Sequence, residues 1–327
     1  MVSLIVQDPT LESADRAIEE RENAQRPRGY VGVSSIGDCA RKVAYRHGLI
    51  ESEPFKASTL YNFADGHRTE ELDIGRLRMA EGVTVIDRDP DTGRQIAVED
   101  HDGHFLGHLD GEIFGLHQAP KTPHVLEIKC VSDKRFAEFE KLKAKVGEKN
   151  TLREWSETYY AQHQCYMLYR GRTRGYLVVA SAGGRRWTSC RTEFNREAAE
   201  LYVERARQII FERDRLPDRI SENANWYQCR WCEFSEVCHE GKPPTRNCRT
   251  CAYVEPVAHG GWRCQRHDTD LDFDKQITGC ADQRYRPALV AGEVVAVDDA
   301  ANTITYRAAD GREWTDTGES DDQKASE

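Results

Sequence analysis

The chain has 327 residues, 31% of them charged against 39% hydrophobic, and a formal net charge of −10; this is enough apolar material for one large domain or two smaller ones. No stretch approaches the ~18 apolar residues of a membrane helix, and the opening MVSLIVQDPT holds no long apolar run, so a membrane partner is excluded and a cytoplasmic location expected. Eleven cysteines, seven of them between Cys229 and Cys280, favour metal or cluster binding over disulfides in such a compartment.

In chain order, residues 10–27 alternate Glu and Arg with few apolar positions and predict an exposed helix or a loose arm. Ser34 and Ser35 are placed to cap a helix over 36–47. Residues 58–80 form a longer helical stretch with Leu60, Phe63, Leu72, Ile74 and Leu77 as apolar positions. Strands follow near 83–88, 94–99 and 104–114, separated by Asp-Thr-Gly-Arg and Asp-Gly turns, and another covers 124–130. Residues 153–170 read as a helix, 175–180 and 187–194 as strands, and 196–214 as a long charged helix. This order predicts an α/β domain on a mixed sheet flanked by helices. Over 225–287 the texture turns short, cysteine-rich and aperiodic. Residues 289–315 resemble a small β-hairpin unit, and the last ten or so predict disorder. There is no internal repeat and no Walker A loop, hence no ATP motor.

Charge is unevenly spread. Residues 309–327 hold seven acids and two bases, about half of the net negative charge, whereas 170–191 hold six arginines and no acid. Lys141, Lys143 and Lys145 add a second basic group. Either patch suits a nucleic-acid backbone or a plain solvated face.

The passage richest in chemistry is His124-Val-Leu-Glu-Ile-Lys-Cys130. On a strand Glu127 and Lys129 project to one side, while Leu126, Ile128 and Cys130 face apolar packing. Alone, Glu-x-Lys reads as an ordinary ion pair, and Asp110, ending Gly107-His-Leu-Asp110, as a turn residue. Together Asp110 and Glu127 offer two hard oxygen ligands suited to Mg²⁺ or Mn²⁺, with Lys129 able to orient a water and offset charge on a phosphate.

With these residues in place, the chain resembles the PD-(D/E)XK nuclease superfamily in its RecB-like and viral-exonuclease branch. Gly66-His-Arg-Thr-Glu70 matches that branch's Gly-x-x-x-Glu helix, and Gln162-His-Gln-Cys-Tyr166 its Gln-x-x-x-Tyr helix. The resemblance implies a restriction-endonuclease-like mixed sheet, with Glu70 completing the metal site and Gln162 and Tyr166 lining its DNA side. His67 is a rival for the role of Glu70.

Two cysteine clusters follow. Cys229-Arg-Trp-Cys232 and Cys238 make three thiolates, which His239 would complete as a zinc site. The resemblance implies instead a [4Fe–4S] cluster with Cys39 as the leading ligand; a buried, inert Cys39 is the alternative. Cys248-Arg-Thr-Cys251, Cys264 and Cys280 read as a zinc-ribbon-like Cys₄ site, structural because so small a module cannot bury enough apolar surface by itself. His259 and His267 are possible substitutes there, and Cys130, Cys165 and Cys190 read as core residues. The expected organisation is a nuclease domain over 1–240 closed by the cluster, a zinc module over 245–287, a hairpin unit over 288–316 and an acidic tail over 317–327.

The function so implied is a Mg²⁺- or Mn²⁺-dependent exonuclease on DNA ends, in viral recombination or genome processing, with a single-strand-annealing protein or helicase as partner. A CRISPR-adaptation-type nuclease that trims DNA ends shares the same core. A reading of another class is a non-enzymatic zinc protein binding DNA or protein through 225–287, for which Asp110, Glu127 and Lys129 would have no use.

Overall fold

The computed structural model describes residues 8–318; from residue 319 on, the expected acidic tail lies outside them. Two units emerge, each assembled from separate pieces of the chain. The first comprises Met1–Pro27, Glu53–Ala97 and His108–Arg196, and the second Arg28–Ser52, Val98–Gly107 and Glu197–Glu327.

At the centre of the first unit is a five-stranded mixed sheet in the order Thr84–Ile86, Gly111–Phe114, His124–Val131, Arg174–Ser181, Trp187–Glu193. Only His124–Val131 and Arg174–Ser181 run parallel. Parallel neighbours need a long crossover, here supplied by three helices, Asp133–Val146, Glu148–Trp155 and Glu157–Arg170. The first is unassigned from the sequence alone, and the helix expected over 153–170 is broken at Ser156, so that residues 153–155 end the second helix. Ser132 and Ser156 cap the outer two by accepting the Arg135 and Tyr159 backbone N–H groups. Gly171, left-handed at φ 60°, ends the last. Against one face of the sheet the long helix Ala57–Arg78 presents Ile74 and Leu77, which pack with Val85, Ile113, Leu126, Ile128 and Val178. Each such burial is worth roughly 1.5–3 kcal/mol. Phe63 and Leu72, expected on that apolar face, are exposed instead.

The arm at the start is a helix, Pro9–Asn23, tied to the long helix's approach: Asn23 exchanges hydrogen bonds with Phe55, and Glu19 accepts the Ala57 N–H. The arginine-rich stretch is not a free basic surface. Arg170 and Arg172 both clasp Glu112, Arg174 pairs with Glu193, Arg186 with Asp133 and Arg191 with Glu148. Lys143 turns to the Ser189 carbonyl.

The second unit contains a small sheet of Val31–Gly32, Phe105–His108 and Ala97–Asp100, the helices Ala40–His47 and Arg196–Phe211, and two antiparallel three-stranded sheets. One sheet is Val254–Val257, Gly261–Cys264 and Thr269–Leu271. The other, Glu293–Asp298, Thr303–Arg307 and Glu313–Asp316, adds a third strand to the expected hairpin. The helix expected over 36–47 begins only at Ala40. Ser35 donates its hydroxyl to the Gly32 carbonyl rather than capping, and Asp38 accepts the Cys39 N–H. Among the described residues no helix is long and apolar enough to cross a membrane.

Candidate active site

Every residue of the expected catalytic group lies in the first unit. Asp110 sits in the turn between Phe105–His108 and Gly111–Phe114, and Gly111 makes that turn possible. At Gly111 (φ 157°) a Cβ would stand 2.8 Å from the Ile86 carbonyl oxygen, closer than any side chain tolerates. The buried Asp110 carboxylate accepts the Ile128 N–H at 2.7 Å, which fixes it beside the next strand.

On that strand Glu127 is 1% exposed. Its Oε1 accepts from Lys129 Nζ at 2.5 Å and from Gln162 Nε2 at 2.7 Å, while its Oε2 has no hydrogen-bond partner. The alternation of the strand separates chemistry from packing, since Leu126 and Ile128 enter the apolar cluster. Cys130 departs from its expected place in the core. It is half-buried, with its thiol near Asp65 Oδ2 (3.4 Å) and the Ser181 carbonyl (3.7 Å). Cys165 and Cys190 are fully buried.

The helix Glu157–Arg170 brings Gln162 and Tyr166 to the site, one turn apart. Tyr166 donates to the His108 carbonyl at 2.7 Å, securing the strand end before Asp110. Tyr159, which the motif reading missed, lies on the same helix face with its ring 5.2 Å from Lys129 Nζ. Its position three residues before Gln162 was the available signal.

The electrostatics follow from crowding acids in a dry place. Burial, then Asp110, raises Glu127 to about 8, and burial, then Asp110, raises half-buried Glu70 to about 7. Burial also raises Asp110, opposed by Lys129 and the Ile128 N–H. Burial alone would depress Lys129, but Glu127 and Asp110 outweigh it and hold the amine charged. Glu70 interacts with both Asp110 and Glu127, whereas exposed His67 acts on Asp110. Three mutually repelling carboxyls and an unpartnered buried oxygen make a donor set that a hard divalent cation fits. Among the described residues, however, no three His, Cys, Asp or Glu side chains are drawn together as a ready metal-holding group.

In the second unit, Cys39, Cys229, Cys232 and Cys238 line one cleft, with His239 beside them. Burial first, then Cys39 and Cys238, raises the Cys229 thiol; burial raises Cys232. Cys248, Cys251 and Cys264 are buried around Trp262, whereas Cys280 is exposed. Burial, then Cys251, Cys280 and Cys264, pushes Cys248 up to about 12.

No family model matches the chain, and neither does any curated protein. Among solved structures it is similar to SSO0001, at 16% identity and a TM-score of 0.39, over 71% of this chain and 96% of that one. It is also similar to the alkaline exonuclease LHK-Exo from Laribacter hongkongensis, at 16% identity and a TM-score of 0.38, over 58% of this chain and 90% of that one. A phage-related exonuclease from Haemophilus somnus 129PT follows at 13% identity and a TM-score of 0.36, over 55% and 91%. Scores this low describe a distant likeness and assign no activity.

Proposed function

We propose that this chain is a metal-dependent nuclease that hydrolyses phosphodiester bonds at DNA ends. One observation carries the reading: Glu127, buried beside Asp110, shares one oxygen between Lys129 and Gln162 and leaves the other without a partner. An ordinary ion pair has no need of a second and third carboxyl, nor of a buried amide turned onto the same oxygen. Asp110, Glu127 and Glu70 would hold Mg²⁺ or Mn²⁺, which when bound supplies Lewis-acid polarisation of the phosphodiester.

The chain's own residues do the rest. Gln162, bonded to Oε1, steadies the Glu127 carboxylate and leaves Oε2 free for a cation. Lys129 stays protonated at Nζ, where it can orient the attacking water and offset charge building on the phosphate. Tyr159 stacks against that amine and limits its swing. Tyr166, through the His108 carbonyl, keeps the Asp110 turn from moving.

Cys39, Cys229, Cys232 and Cys238 are read as the ligands of a [4Fe–4S] cluster, on the support of their common cleft. Four thiolates match the usual ligation of such a cluster. Preference for ends and a viral setting extend the reading further. End-labelled linear DNA, single- and double-stranded, tested beside covalently closed circles, checks it. Loss of label from linear DNA only, and only with Mg²⁺ or Mn²⁺, is expected. Equal cutting of circles would make the enzyme an endonuclease, and no cutting with either cation would remove the proposal.

A further inference from the structure

The cysteine-rich end of the second unit holds three arginines with no carboxylate in direct contact. Arg249 is 1% exposed. Its guanidinium donates to Gln276 Oε1 at 2.7 and 2.9 Å and to the His47 carbonyl at 2.9 Å, and it stacks 4.4 Å over Trp262. Arg213 covers the same ring at 5.2 Å and donates to the Arg249 and Cys251 carbonyls. Arg286 is buried too, and its Nε has no partner. Among the described residues none of the three forms a direct ion pair with a carboxylate; Asp214 acts on Arg286 and Glu255 on Arg213 only from further off, and no carboxylate acts on Arg249. Buried charges are ordinarily paired, and carbonyl dipoles offset a cation only in part.

Cys248, Cys251 and Cys264 pack on the same tryptophan. The Cys248–Thr250 turn is locked from both sides, Asn247 accepting the Thr250 N–H and Thr250 accepting the Asn247 N–H. Cys264 ends the strand Gly261–Cys264. The Tyr253 N–H donates to Cys251 Sγ at 3.5 Å.

We propose that Cys248, Cys251, Cys264 and Cys280 hold one Zn²⁺ as a tetrathiolate, and that its net double negative charge is the counter-ion of Arg213, Arg249 and Arg286. Each thiol gives up its proton to solvent on binding. The sulfurs are not yet gathered to ligating distance, so binding must close them. Cys280 is the exposed member that swings in. His267 Nε2 lies 3.9 Å from its sulfur and competes for the fourth position, but it also stands 3.2 Å from Asp282. The proposal does not depend on the nuclease reading.

The test uses the full chain and two probes, Zn²⁺ counted by elemental analysis and Co²⁺ followed by its ultraviolet thiolate-to-cobalt band. One zinc per chain is expected, lost in Cys251→Ser and in Cys280→Ser but kept in His267→Ala. Arg249→Met should weaken zinc retention against a chelator by ~10–100-fold, the range for groups just outside a metal's ligands, and Arg249→Lys by less. Should Arg249→Met not fold by circular dichroism, Arg213→Met, at the more exposed of the two stacked cations, carries the same expectation. A zinc-free wild type, or zinc kept by Cys280→Ser and lost by His267→Ala, overturns the ligand set. Unchanged retention in the folded arginine variant overturns the counter-ion role.

Discussion

Glu127 and its donors are the residues on which most depends, and they do different work. Gln162→Leu removes the amide that steadies Glu127 and should weaken divalent-cation binding by ~10–100-fold, as loss of a group outside the ligands does. Tyr166→Phe loses the bond to the His108 carbonyl and the hydroxyl that accepts from Gln162 at 3.5 Å; with Gln162 still on Glu127, it should cost about 1 kcal/mol of stability and lower cation affinity less than Gln162→Leu does. Calorimetric titration of Mn²⁺ separates the two, and equal affinities for wild type and Gln162→Leu would contradict the assignment. Next along the helix, His163 is fully buried with neither ring nitrogen hydrogen-bonded. Burial first, then Lys129, pushes it down from 6.5 to about 3. The unfolded chain therefore takes up a proton that the folded chain refuses. Stability is complete above pH ~6.5 and declines toward pH 3, by up to ~1.4 kcal/mol per unit. Urea melts at pH 7, 5 and 4 should show His163→Leu declining less steeply than wild type; parallel curves would contradict this origin.

Elements place these residues, and two glycines govern how closely the elements meet. A Cβ on Gly175 would lie 2.5 Å from His163 Nδ1 and 3.0 Å from Thr192, so the strand Arg174–Ser181 and the helix Glu157–Arg170 could not keep their spacing. Gly175→Ala should lose ~1–3 kcal/mol, the usual penalty of overpacking, read as a lower melting temperature. A wild-type melting temperature would show that the helix yields freely. Gly111→Ala meets the Ile86 carbonyl instead and should displace Asp110. Much of this placement was legible in the sequence because it is periodic. Glu127 and Lys129 two apart on a strand, and Gln162 and Tyr166 four apart on a helix, declare a shared face. The Arg170–Arg191 stretch was not legible, because its partners Glu112, Asp133 and Glu148 are distant in sequence and only folding brings them. Cys130 likewise read as core from alternation alone, which does not reveal that Asp65 reaches its thiol.

For the whole molecule, the two units interleave along the chain, a pattern that reading element by element does not reveal. Residues 28–52 join the unit that contains the described residues from 197 on, although most of the first unit lies between them in sequence. Cys39 therefore meets Cys229, Cys232 and Cys238 across a long loop, whose closure by the proposed cluster would carry an entropic gain that grows slowly with length. Iron analysis of anaerobically purified Cys39→Ser should find the iron gone, with a lower melting temperature, while His239→Ala keeps both; retained iron in Cys39→Ser would point to zinc completed by His239. Whether Asp110, Glu127 and Lys129 form a hydrolytic centre is decided by single-turnover cleavage of end-labelled linear DNA by Lys129→Ala, with Mn²⁺ binding measured on the same preparation. A rate lowered ~10²–10⁴-fold with the cation still bound is expected. Cleavage at the wild-type rate in folded Lys129→Ala would contradict it.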